Sequence, residues 1–227
     1  MHKPSNITRT ELEQPRSALK HAWNLAGLPF RFVLFPDHWN RNLGWSSLEE
    51  ERLRAVFPAI RGRLLDIGAG PNTLCRLYGS NSVGVDVYDF GGGATIVEDT
   101  RHLPFADQSF DTVTFVACLN HIPYRLDVLR EARRLLRPGG RVVATMINRA
   151  LGDVGHKIWW YSEDKERGML EGETGGLDVA EMRQLFVEAG FVDMTLSRFC
   201  YGLNGLFVAT RPSRIAGGRE SRPSRAA

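Results

Sequence analysis

Residues 63–77, RLLDIGAGPNTLCRL, decide the fold of this 227-residue chain. A short apolar run ends in Asp66, Gly68 and Gly70, and a helical pattern resumes from Thr73. A strand entering a tight glycine turn and then a helix is the opening unit of a doubly wound α/β domain. Gly68 and Gly70 allow positive φ and admit a ligand close to the backbone, and the helix start offers unpaired N–H groups. A second acid, Asp86, closes the next apolar run, SVGVDV, twenty residues after Asp66. In such folds a strand-end acid there accepts from both hydroxyls of a ribose; a solvated strand-end acid is the plainer alternative.

The same stretch argues against a dinucleotide. The fingerprint G-x-G-x-x-G would need glycine at Thr73, and Asp66 stands where it would repel a phosphate. A carboxylate there stabilises an ammonium or sulfonium and can hydrogen-bond the turn amides. A cationic, ribose-bearing ligand suits both acids.

Working outward, strands are predicted at 63–67, 82–87, 94–97, 111–117 and 141–147, with an antiparallel closing pair near 192–199 and 206–210. Between them, RLDVLREARRLLRPGG carries Leu126, Leu129, Ala132, Leu135 and Leu136 on one helical stripe and stops at Pro138–Gly140. LDVAEMRQLFVEAG offers Asp178 as N-cap with Glu181 as capping-box partner, an apolar stripe, and Gly190 as terminator. The fold class is therefore a mainly parallel, seven-stranded Rossmann-like sheet with flanking helices and an antiparallel last strand. The expected organisation is an aromatic helical cap over 1–60, a domain over 61–211 with an insertion at 148–177, and a disordered tail at 212–227.

The ordered motifs LLDIGAGPNT, GVDV, EDTRHLPFADQSFDTV, VACLNHI and LRPGGRVV resemble those of class I S-adenosylmethionine-dependent methyltransferases of the bacterial small-molecule type, over about 63–140. The resemblance implies S-adenosylmethionine as cofactor. It implies that Asp66, Gly68, Ala69 and Gly70 line the methionine portion, with Val116, and that Asp86 holds the ribose. Val87 would pack on the adenine, and Asp99 and Thr100 would meet its edge. Val87 and Val116 as core, and Asp99 as a turn acid, are the competing readings. Two departures stand out. Asn72 replaces the third loop glycine but tolerates positive φ, and Gly91–Gly93 reduce the helix between strands two and three to a loop.

Methyl transfer needs alignment and exclusion of water more than a base. Where the acceptor must lose a proton, His121, just past strand four, is the candidate catalytic group. In the insertion, His156, Trp159, Trp160 and Tyr161 are the candidate substrate-binding residues, with Glu163 and Asp164 beside them; Trp159 and Trp160 as a purely structural seal is the alternative. A non-catalytic cofactor-binding protein and a nicotinamide-dependent oxidoreductase are the rival functions on this architecture.

Composition sets limits. A 43% hydrophobic and 24% charged chain with net charge +3 is a globular type with no basic face for nucleic acid. Cys75, Cys118 and Cys200 form neither a disulfide framework nor a metal motif. No stretch reaches the ~18 apolar residues of a membrane span. A cytoplasmic monomer or homodimer with a small-molecule acceptor and no metal is the expectation.

Overall fold

The computed structural model describes residues 7–31, 35, 37–147, 149 and 172–213. These form a seven-stranded sheet: β1 (Leu64–Ile67), β2 (Ser82–Asp86), β3 (Thr95–Ile96), β4 (Phe110–Val116), β5 (Leu136–Ile147), β6 (Val192–Phe199) and β7 (Asn204–Thr210). Their order is β3-β2-β1-β4-β5-β7-β6. Strands β1 to β5 run parallel, and β7 is antiparallel to both neighbours. The chain travels outward from β1 to β3, then returns to place β4 on the other side of β1. The resulting switch point at the C-terminal ends of β1 and β4 is where such sheets bind ligands.

The sheet is covered on both faces, which is why β1 is buried at every position. Helices α1 (Arg9–Glu13), α2 (Ala18–Ala26), α3 (Leu28–Arg31), α4 (Asp37–Asn42) and α5 (Leu48–Val56) precede the sheet, and α6 (Thr73–Tyr78) follows the glycine turn. Leu12, Leu53, Val56, Leu64, Leu74 and Val143 form the core on that side. On the other face, α7 (Arg125–Leu135) and α8 (Val179–Glu188) bury Leu129, Ala132, Met182 and Phe186 against Ile67, Phe115, Ala144 and Phe207.

The predicted elements fall within a few residues of these bounds, with two differences. Leu136 leaves the helical stripe to pair with Phe110, so β5 starts before the glycines; Gly139 N then donates to Arg211 O and Arg211 N to Gly140 O. Val128, outside the predicted stripe, is fully buried in α7. The capping box of α8 is formed, with Asp178 N donating to Glu181 at 2.8 Å. No helix separates β2 from β3, as the glycine run predicts.

The N-terminal region is built differently from the rest. Its interior is polar: Arg31, fully buried, donates to Ser46 O, Asn24 O and Glu51, and Arg16 reaches the same Glu51 at 2.8 Å. Its rings pack on one another: Phe30 and Phe35 stack on Trp45 with centroids 6.4 and 6.2 Å away, and Trp23 meets Trp45 at a tilt, 5.8 Å apart. Trp23, Phe30 and Trp39 nevertheless stay exposed. Among the described residues no helix is long and apolar enough to cross a membrane.

Candidate active site

The turn after β1 is held from two sides. Gly68 N and Ala69 N both donate to Val85 O of β2 at 3.0 Å. Gly68 has φ +71°, and a Cβ there would lie 2.7 Å from Cys118 Cβ. Its missing side chain therefore leaves room for Cys118 at the exit of β4. Gly70, at φ +52°, is the open one: an added Cβ would meet nothing within 4 Å. Asn72 takes the left-handed conformation (φ +57°) that starts α6.

The two acids divide their roles otherwise than the sequence suggests. It is Asp86, not Asp66, that holds a turn amide: Gly70 N donates to its Oδ2 at 2.8 Å, and Tyr88 N to its Oδ1 at 3.1 Å. Each oxygen keeps acceptor capacity for a further donor. Asp66 is 2% exposed and accepts the Thr114 hydroxyl at 2.6 Å. Burial pushes its carboxyl up to about 7, the Thr114 hydrogen bond opposing and the Asp86 charge adding to the rise. No cation pairs with either acid among the described residues.

Cys118 closes the floor. Its thiol donates to Ile67 O at 3.0 Å, and burial, with Asp66 and Asp86 nearby, holds it protonated well above the usual range. It is a packing group and not a nucleophile.

The remaining predicted residues lie around this turn. Val87 is 52% exposed and so lies outside the core. Val116 is partly buried against the α5 and α6 side. Val97 N donates to Asp86 O, which ties the start of the Asp99 segment to the end of β2. Asp99 itself is turned to Arg101, accepting from its backbone N at 2.8 Å and its guanidinium at 2.9 Å, and these bonds hold its carboxyl below the usual range. Thr100, beside it, is partly buried. The Gly91–Gly93 loop lies on the glycine turn: a Cβ on Gly92 would sit 2.1 Å from Pro71 O.

His121 stands in the short 3-10 turn Leu119–His121 after β4. Its Nε2 is 2.9 Å from Asn120 Nδ2, and its Nδ1 is 3.5 Å from Glu173 Oε2. Glu173 carried no motif and escaped the sequence reading, since only the fold brings it there. His156, Trp159, Trp160 and Tyr161 lie outside the described residues.

A doubly wound sheet of this order, with a glycine turn and a strand-end acid at its switch point, is the fold of the class I S-adenosylmethionine-dependent methyltransferases. Residues 65–144 match the family described as a methyltransferase domain. A 27-O-demethylrifamycin SV methyltransferase of Amycolatopsis mediterranei is 35% identical, over 53% of this chain and 54% of its own length. A demethylmenaquinone methyltransferase of Streptomyces griseus is 36% identical, over 43% of this chain and 50% of its own. The chain spans about half the length, or less, of the curated relatives it matches first. Among solved structures, an S-adenosylmethionine-dependent methyltransferase of Thermotoga maritima has a TM-score of 0.56 at 20% identity, covering 71% of this chain and 87% of the other. The carbon methyltransferase CurJ has 0.55 at 17%, covering 84% and 64%. At such identities the likeness is one of fold.

Proposed function

We propose that this protein is an S-adenosylmethionine-dependent methyltransferase acting on a small-molecule acceptor. The observation that carries the reading is the pair of buried acids, Asp66 and Asp86, flanking an open glycine turn, with no cation paired to either among the described residues. Such a site favours a positively charged, ribose-bearing ligand over a phosphate bridge. The cofactor supplies a methyl group on a sulfonium that leaves as a neutral sulfide.

The chain's own residues then have defined tasks. Asp86 takes the ribose hydroxyls on acceptor positions that Gly70 N and Tyr88 N leave open. Asp66 opposes the charge of the methionine portion, and Gly70 lets that portion lie against the backbone. Val87, exposed beside Asp86, supplies an apolar wall for the base. Asp99 and Thr100 line its edge, and Val116 and Ala69 close the methionine end. His121 takes the proton of an acceptor hydroxyl or amine. The aromatic N-terminal segment and the insertion bearing His156, Trp159, Trp160 and Tyr161 enclose the acceptor and exclude water. The named acceptors of the relatives, a rifamycin and a demethylmenaquinone, support a small molecule over a protein or nucleic acid. A cytoplasmic location fits the free cysteines.

Calorimetric titration of the full chain with S-adenosylmethionine, and separately with NADH, tests the cofactor. Saturable binding of the first alone is expected; binding of NADH alone overturns the reading. Turnover is tested by incubating the protein and methyl-labelled cofactor with metabolite extracts. Label appearing in a small molecule, with S-adenosylhomocysteine, is expected. Cofactor binding without either product would identify a binding protein.

A further inference from the structure

We infer that the outward face of α2, continued by α3 and α4, is a docking surface for an anionic lipid bilayer, and that the methyl acceptor is a lipid-dissolved molecule reached from it. The second half rests on the methyl-transfer reading above and names its acceptor class.

Helix α2, ALKHAWNLA, is turned inside out: its polar residues Lys20 and Asn24 face the protein and its apolar residues face away. Asn24 is fully buried, donating from Nδ2 to Ser46 Oγ at 3.2 Å and accepting from Ser46 N at 3.0 Å, while Lys20 Nζ donates to Gly44 O. At about 100° per residue, Ala18, Leu19, Ala22, Trp23, Leu25 and Ala26 fill one continuous arc. All six are exposed, Leu19 by 81% and Leu25 by 54%. A helix on a globular protein normally buries that stripe. The patch also runs beyond α2. Trp23 Nε1 donates to Leu43 O at 2.9 Å, which brings the exposed Leu43 beside it. Trp45 joins the rings of Trp23, Phe30 and Phe35, and Phe35 meets Trp39 at 5.6 Å.

Two features select a bilayer as the occupant. An indole whose N–H is held by the main chain, with its ring at the surface, has the amphipathic placement suited to a headgroup boundary. Charge is the other feature. Lys20 of α2 and the exposed Arg41 of α4 lie among these apolar residues, and Asp37 is the single acid between Ser17 and Gly44. Such a surface complements anionic headgroups, whereas a second copy docked about a two-fold axis would set the same cations against each other. Apolar burial together with basic residues attaches a helix along a bilayer without crossing it.

The surface stands at the end of the sheet that holds the candidate site. The Tyr201 hydroxyl donates to His21 O at 3.2 Å. Tyr201 lies in the connection from β6 to β7, whose first residue, Asn204, pairs with Ile147 at the C-terminal end of β5. The glycine turn leaves β1 at that same end of the parallel strands. A molecule leaving the bilayer beside α2 therefore enters on the side of Asp86 and Gly70.

Flotation of the full chain with vesicles tests the surface, with phosphatidylcholine alone and with a mixture of phosphatidylcholine and phosphatidylglycerol. Binding to the anionic vesicles is expected, with a blue shift of tryptophan emission and a loss at high salt. The double variant Leu19→Glu/Leu25→Glu changes two exposed positions and should bind about tenfold more weakly or worse. Arg41→Glu should weaken binding about fivefold. Wild type that does not float with anionic vesicles, or a double variant that floats as wild type does, overturns the inference. So does a dimer in light scattering that the double variant dissolves while vesicles stay unbound, since the occupant is then a second copy. For the acceptor, the protein and methyl-labelled cofactor are given an organic-solvent extract of membranes and, separately, water-soluble metabolites. Label in the membrane extract is expected, and label in the water-soluble fraction alone overturns the acceptor class. Failure to bind S-adenosylmethionine by a protein that still floats would sink the methyl-transfer reading and leave the docking surface standing.

Discussion

The glycine turn after β1 and the N-terminal cap bury polar groups in opposite ways. In the cap, Arg31 is paired with Glu51, and Arg16 with both Glu51 and Glu50. At the turn, Asp66 and Asp86 are buried side by side with no described cation, and the sheet bears the cost. A charge that the protein balances internally is structure; one left unbalanced at a switch point is a site waiting for its counter-charge.

The largest effect expected from that contrast is at Asp66. Its carboxyl titrates at about 7 in the fold against 3.8 outside it. Between those values the folded form holds a proton that the unfolded form lacks, so stability falls as pH rises from 4 to 7 and stays low above. Asp66→Asn keeps an acceptor for the Thr114 hydroxyl and removes the penalty. At pH 8 the cofactor-free variant should be more stable by on the order of 3 kcal/mol, measured by urea unfolding, and should bind S-adenosylmethionine more weakly by calorimetry. A variant no more stable than wild type at pH 8 would show that Asp66 is not a held-back charge.

The cap should respond in the reverse sense. Glu51→Ala removes the carboxylate that Arg31 and Arg16 share, and breaking such a buried pair costs about 3 kcal/mol. Urea unfolding followed by tryptophan fluorescence, which reports Trp23 and Trp45, should shift to lower denaturant, while cofactor affinity stays near that of wild type. Equal loss of both would mean that cap and turn are one unit.

How much of this was legible follows the same division. The glycine turn, Asp86 and the capping box of α8 are read from adjacent residues, because turn conformation and strand-end position are local properties. The Arg31–Glu51 pair and the Glu173–His121 contact join residues 20 and 52 positions apart, and no spacing rule reaches them. The aromatic segment 21–45 reads as an apolar cap, yet its centre is ionic; composition reports the rings and not the partner of a buried arginine. Even inside the motif, which acid binds the turn amide was decided by strand register. Asp86 ends β2 opposite Ile96, directly beside Gly70 N, whereas Asp66 points to Thr114.

Asp86 is the point at which local reading and function should coincide. Asp86→Ala removes the acceptor for the ribose hydroxyls and for Gly70 N together, and should weaken cofactor binding by about 2 kcal/mol, the cost of polar groups left unpaired. Unchanged affinity in calorimetry would take Asp86 out of the site.

Asp99 should give the smallest change, and it separates family resemblance from geometry. The resemblance places this acid on the adenine amino group, but here both its oxygens accept from the Arg101 guanidinium, and its side chain is 36% exposed. An acid that must share itself with a solvated arginine adds little to a further hydrogen bond. Asp99→Ala should therefore weaken S-adenosylmethionine by less than about 1 kcal/mol, and Arg101→Ala, which frees the carboxylate for the ring, should strengthen binding slightly. If Asp99→Ala instead costs as much as Asp86→Ala, the ion pair opens when the cofactor enters, and the adenine end belongs with the turn as a balanced pair that binding breaks.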